Sequence, residues 1–249
     1  MLKKKLPYLI KKIATVEGFE VWLVDGDYIR QHVNSNFCNF GQHYQFHFIP
    51  SKMFFISKER RHDESKYYIE HMLKENALMA KGVSYDEANA EGTKAESKLR
   101  DKDNKFTDKD IKIKILYQDK YITIWEVNGH AVRNLKNTLW TQGATDKTHD
   151  FIPHGEVWID DDVFKQQPVE FHELNERILL NAGMDYPTAH RISLLRERKL
   201  RNGDGVMRTE IKEVRQRQSE VLTPNHKHKH LNRANHHTPR KRETSLALW

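Results

Sequence analysis

The chain has 249 residues, 37% hydrophobic and 31% charged, which suits one large or two small folded domains and excludes a wholly disordered polymer. Its single Cys38 excludes an internal disulfide. No apolar run reaches the roughly 18 to 20 residues needed to span a bilayer, and Lys11 and Lys12 interrupt the start, so no secretory signal or membrane contact is expected and the cytoplasm is the expected location.

The net charge of +7 is uneven: the first twelve residues hold five lysines, residues 221–249 carry +5, and the body between them is left at −3. Basicity therefore belongs to the ends.

In chain order, residues 1–17 read as a basic extension and residues 18–100 as a first structural unit. Within that unit "VWLVDGDYIR" and "FIPSKMFFIS" have the aromatic and β-branched character of strands, and Asp25-Gly26 is a turn signal. "QHYQFHF" reads as a further strand, with His43 and His47 on one face. Such a pair can bind metal, but the ordinary reading is a polar sheet face, and it is left out of the site. "YYIEHMLKENALMAKG" then has apolar residues at helical spacing ending in glycine, and Ser84 with Glu87 forms a capping box for a second helix.

Residues 101–112 ("DKDNKFTDKDIK") have little to bury and read as a linker. Residues 113–203 repeat the first unit: Val21–Arg30 and Phe48–Ser57 fall on Ile124–Arg133 and Phe151–Asp160 at an offset of 103. Asn128-Gly129 supplies the matching turn signal. At an offset of 101, His71–Arg100 falls on His172–Arg201 with 11 identities in 30 positions, where chance gives about two. Asp185 followed by Pro187 starts the last helix of the pair. Residues 204–222 read as one more polar helix, and residues 223–249, rich in His, Asn and basic residues, as a disordered tail. The expected fold is therefore α+β: a tandem duplication of a small antiparallel sheet followed by a helical hairpin.

The hairpin of the second copy carries the chemistry. His172-Glu173-Leu174-Asn175-Glu176 departs from H-E-x-x-H, the helical zinc-hydrolase pattern, only in having Glu176 for the second histidine. A carboxylate also binds zinc, and positions four apart share a helix face. The next helix offers His190 and Glu197, which a tight turn at Gly183 can fold back toward His172. The candidate ligands are thus His172, Glu176, His190 and Glu197, with zinc as cofactor and Glu173 as the base that moves the proton of an activated water. Catalysis needs an open coordination position, so one of the four must stand aside, Glu197 first. The plain alternative is a helical pair held by His–Glu contacts, packed by Tyr85 and Tyr186. The first copy keeps His71, Glu75 and Glu96 but has Met72 for Glu173 and Asn89 for His190.

Val127–Arg133, Phe151–Asp160 and His172–His190 resemble a family of bacterial and phage proteins that combine V-[DN]-G-x-x-[IV]-R, F-I-P-x-x-E-V-W-I-D and H-E-L-x-E-R…G…Y…A-H. The resemblance covers most of both repeats and implies one fold and a bacterial or phage-infected cell, without implying an activity. Such proteins tend to show a glycine pair and a histidine ahead of F-I-P. Here "TQGATDKTHDFIP" has Gly143 alone and His149 displaced, and "NFGQHYQFHFIP" has Gly41 and His43. A thinner likeness to zincin metallopeptidases rests on His172 to Glu176.

Two functions follow. One is a zincin-like, metal-dependent hydrolase of the peptidase type acting on a peptide substrate. The other is a non-catalytic phage or bacterial accessory protein whose repeats pack structurally and whose basic tails, including "HKHKHLNRANHH", contact nucleic acid or a protein partner. No glycine-rich phosphate loop, nucleophile elbow or paired-cysteine zinc motif is present.

Overall fold

The structure is a computed structural model and describes residues 6–58, 60–203 and 205–222. The tail read as disordered, residues 223–249, and the first five residues lie outside the described residues.

Two units of the same topology follow one another. The first contains β1 (Leu9–Val16), β2 (Phe19–Val24), α1 (Gly26–His32), β3 (Phe40–Gly41), β4 (Met53–Ser57), α2 (Ser65–Met79) and α3 (Tyr85–Asp103). After a 3-10 turn at Asp108–Asp110, the second contains β5 (Lys112–Gln118), β6 (Thr123–Val127), α4 (Gly129–Leu135), β7 (Gly143–Thr145), β8 (Glu156–Asp160), α5 (Gln166–Asn181) and α6 (Tyr186–Arg201). The strand orders are β1-β2-β4-β3 and β5-β6-β8-β7. The fold is α+β and duplicated, as the sequence indicates.

The sheets are mixed rather than antiparallel. The outer pairs are antiparallel, but β2 runs parallel to β4 and β6 to β8. The reason lies in the two turn signals, which start helices instead of hairpins. Asp25 Oδ1 accepts from Tyr28 N at 2.9 Å and Asn128 Oδ1 from Ala131 N at 3.0 Å, so both residues are N-caps. The chain then crosses a sheet face before the next strand, as a parallel pair requires. Glycine follows each cap because the backbone is crowded: a Cβ on Gly26 would lie 2.1 Å from Ser57 Oγ, and one on Gly129 2.0 Å from Asp160 Oδ2.

Other boundaries also differ from the sequence reading: the stretch read as a linker, residues 101–112, holds the end of α3, the 3-10 turn and the start of β5, with Ile111 buried in the second unit's core. β1 lies inside the stretch read as an extension, where its lysines suit an exposed edge strand. Residues 42–48 form turns, so His43 and His47 share no strand face. The segment read as one polar helix is two, α7 (Met207–Gln216) and α8 (Gln218–Leu222), with Ile211, Val214 and Val221 buried.

Alternation along the central strands splits each core in two. Val21, Phe54 and Ile56 face Tyr68 and Met72 of α2, whereas Val24 and Phe55 face α1 and the turns after β3. In the second unit Ile124, Val157 and Ile159 face Phe171 and Leu174 of α5, while Val127 and Trp158 pack with α4. Because α6, α7 and α8 also cover α5, every residue from Pro168 to Ile178 is buried. Among the described residues no helix is long and apolar enough to cross a membrane.

Candidate metal centre

The capping signals set both hairpins. Asp185 Oδ1 accepts from Thr188 N at 3.0 Å and Ser84 Oγ from Glu87 N at 3.4 Å, while Gly82 and Gly183 take φ of +82° and +89° at the preceding helix ends. α6 is thereby folded back on α5.

The fold brings His172, Glu176 and His190 together. His172 Nε2 lies 3.2 Å from His190 Nδ1 and 3.4 Å from Glu176 Oε2, and His190 Nδ1 lies 2.8 Å from Glu176 Oε2. Tetrahedral zinc with bonds of about 2.0 to 2.1 Å separates its ligand atoms by roughly 3.3 Å, so the triangle has the size a zinc ion needs. The donor set of two imidazoles and one carboxylate also fits. His172 and Glu176 are buried and His190 is half-buried, leaving the centre open on its His190 side.

Glu197 is not the fourth corner. Its Oε2 lies 3.0 Å from His172 Nδ1, the ring nitrogen that faces away from the triangle. A carboxylate only accepts, so Nδ1 holds a proton toward Glu197, and Nε2, which faces Glu176 within the triangle, is the nitrogen that could bind a metal on giving up its own proton. Glu197 therefore lies outside the triangle and holds the His172 ring from its far side.

Burial opposes charge on Glu176, but hydrogen bonds and charge from His172 and His190 prevail and hold its pKa down to about 2. Burial likewise opposes charge on His172, yet Glu176 and Glu197 raise its pKa well above the ordinary value. Glu173 responds in the other direction: burial, then Glu176 and Glu197 against the opposing His172, push its pKa up to about 8. Its carboxyl makes no hydrogen bond or ion pair among the described residues and lies beside Gly143, where a Cβ would be 3.1 Å from Oε1. Tyr186, half exposed, stacks on His190 with ring centroids 5.5 Å apart.

The first hairpin reproduces most of this geometry. His71 Nδ1 lies 2.9 Å from Glu96 Oε2, and its Nε2 lies 3.3 Å from Glu75 Oε2 and 3.2 Å from Asn89 Oδ1. Asn89 thus stands where His190 stands. Phe40 pairs with Ile56 as Gly143 pairs with Ile159, and the Phe40 ring packs on His71 with centroids 4.9 Å apart. Gln42 Nε2 donates to Glu75 Oε1 at 2.6 Å, while Tyr85 is tied to Gln45 Nε2 at 3.0 Å. The first cluster is sealed and has an amide in place of the third ligand.

A second group passed unnoticed in the sequence: His62, Asp161 and Asp162. His62 Nδ1 lies 2.7 Å from Asp162 Oδ2, and Arg61 Nη1 lies 3.2 Å from Asp161 Oδ2. These contacts join the two repeats, and Arg61 and His62 already compensate the carboxylates. The only sequence signal was the acidic run after β8.

Comparison with protein-family models, curated proteins and solved structures gave no match, so the chemistry of this centre is read from its own geometry.

Proposed function

We propose that the protein is a zinc-dependent hydrolase of amide or ester bonds, with a peptide as the substrate class, whose centre is His172, Glu176 and His190. The observation that carries this reading is a concerted difference between the repeats. Phe40, Met72 and Asn89 of the first correspond to Gly143, Glu173 and His190 of the second. Each change works toward the same chemistry. The ring that covers the histidine is removed, an ionisable carboxyl enters the freed space, and an amide becomes an imidazole.

A zinc ion bound there supplies Lewis acidity to a carbonyl and to water. Glu173 takes a proton from the attacking water and returns it to the leaving group, an amide nitrogen or an ester oxygen, a task suited to a carboxyl whose pKa lies near neutrality. Glu197 keeps His172 in the tautomer that offers Nε2. The half-buried His190 side admits the substrate.

Metal content of the purified full chain tests the reading. About one zinc per chain is expected, lost in His172→Ala and retained in Glu173→Gln. Glu173→Gln is expected to slow peptide hydrolysis roughly 10²- to 10⁴-fold. A wild-type chain that takes up no zinc from micromolar solution rejects the proposal.

The second reading is the accessory protein, favoured by one observation. The first hairpin holds the same His–Glu–Glu contacts without a third metal ligand, so such a cluster can serve packing alone. On that reading the tails bind nucleic acid with a strong salt dependence that disappears when residues 223–249 are deleted.

A further inference from the structure

The second hairpin is not self-contained. From His172 Nδ1 a line of charge-assisted contacts runs through Glu197 Oε2 at 3.0 Å, then from Glu197 Oε1 to Arg201 Nε at 2.7 Å, and from Arg201 Nη1 to Asp27 Oδ1 at 3.3 Å. Asp27 belongs to α1 of the first repeat and is itself held by Arg30 Nη2 at 2.7 Å. Gln31 Nε2, on the same short helix, donates to the Arg201 carbonyl at 2.9 Å. The side chains of Asp27, Glu197 and Arg201 are 12%, 10% and 3% exposed, so solvent screens the line little.

The reciprocal contact lacks the carboxylate from the other repeat. In the first hairpin Glu96 Oε1 accepts from Arg100 Nε at 2.8 Å, and Arg100 Nη1 reaches Asn134 Oδ1 at 3.0 Å, with Asn134 at the position of Gln31. His130 stands where Asp27 stands, and the carboxylate that pairs with Arg100 across from Glu96 is Glu64 of the first repeat itself. Only the second hairpin takes its terminal carboxylate from the other repeat.

We propose that Asp27 of the first repeat is a positioning residue for the metal centre of the second, acting through Arg201 and Glu197 on the ring of His172. This rests on the zinc reading above. The physical basis is orientation: a ligating imidazole is free to turn about its ring axis unless its other nitrogen is held, and the holder must itself be held. Arg201 bridges two carboxylates with its planar fork, which fixes Glu197 in place. The first repeat, which lacks a complete metal triad, thereby sets the geometry of the second.

The test is zinc affinity of the full chain, measured by competition with a chromophoric chelator, together with the thermal midpoint. Asp27→Asn is expected to weaken zinc binding roughly 10-fold or more, with Asp27→Glu recovering most of the affinity. Glu91→Gln, a loss of the same charge on an exposed helix face, is expected to leave the affinity unchanged. Where Asp27→Asn proves unfolded, Arg201→Lys replaces it, because a lysine keeps the charge but lacks the planar fork that holds Glu197 and Asp27 through separate nitrogens. Zinc affinity within twofold of wild type in the folded variant overturns this inference and leaves the zinc reading standing. A wild type that binds no zinc removes both.

Discussion

His190 Nδ1 lies 3.2 Å from His172 Nε2, at the place where Asn89 Oδ1 lies 3.2 Å from His71 Nε2. One imidazole in place of one amide separates a cluster with three candidate metal ligands from one with two. His190→Asn therefore converts the second hairpin into the likeness of the first. On the zinc proposal, zinc at 100 times its dissociation constant is expected to stabilise the wild type by about 2.7 kcal/mol, a rise of roughly 5 to 10 °C in the thermal midpoint. His190→Asn is expected to fold and to lose that rise. Differential scanning fluorimetry with and without zinc measures it, and an undiminished rise in the variant contradicts the ligand assignment.

A second prediction concerns the contact between repeats. Glu64, fully buried ahead of α2, is paired with Arg100 of its own repeat and Arg133 of the other, and accepts from Tyr68 Oη at 3.0 Å. Burial would raise its pKa, but Arg133 and Arg100 prevail and hold it down to about 2. Glu64→Ala leaves two guanidinium groups buried with fewer partners and is expected to cost about 3 to 5 kcal/mol. Denaturant unfolding of the two chains gives the value. A cost below about 1 kcal/mol would show that the pair is not a source of stability.

The first hairpin also has a pH signature. Burial lowers the pKa of His71, but hydrogen bonds to Glu75 and Glu96 outweigh it and raise it to about 9, against 6.5 for the free side chain. The folded state therefore holds the proton more tightly. The resulting stability is fully present below pH 6.5 and is lost as pH rises through 9, an order of 3 kcal/mol for such a shift. In metal-free protein, unfolding between pH 6 and 10 is expected to show this loss in the wild type and a shallower slope in His71→Asn. Equal slopes would place the proton elsewhere.

Much of this molecule was legible in the residue order. The duplication, the two hairpins, the caps at Ser84 and Asp185 and the helix faces that carry His172, Glu176 and His190 follow from local rules of spacing and capping, which act within a few residues. Asp25-Gly26 and Asn128-Gly129 misled because the same pair of residues starts a helix as readily as it turns a hairpin. Here Asp25 and Asn128 cap helices, and Ser57 and Asp160 leave room only for glycine after each cap.

The sequence by itself determined which residues share a helix face, and so which side chains were available to hold a metal. Tertiary structure decided which nitrogen of His172 meets which carboxylate. That choice left Glu197 facing Nδ1, outside the triangle of His172, Glu176 and His190. It also placed Phe40 over one histidine and Gly143 beside Glu173, and brought Asp27 from one repeat to Arg201 of the other. Spacing along a helix constrains direction only about its own axis. The orientation of a ring, and the neighbour it meets, depend on the elements packed against it: Glu197, which faces His172 Nδ1, lies on the next helix, 25 residues on.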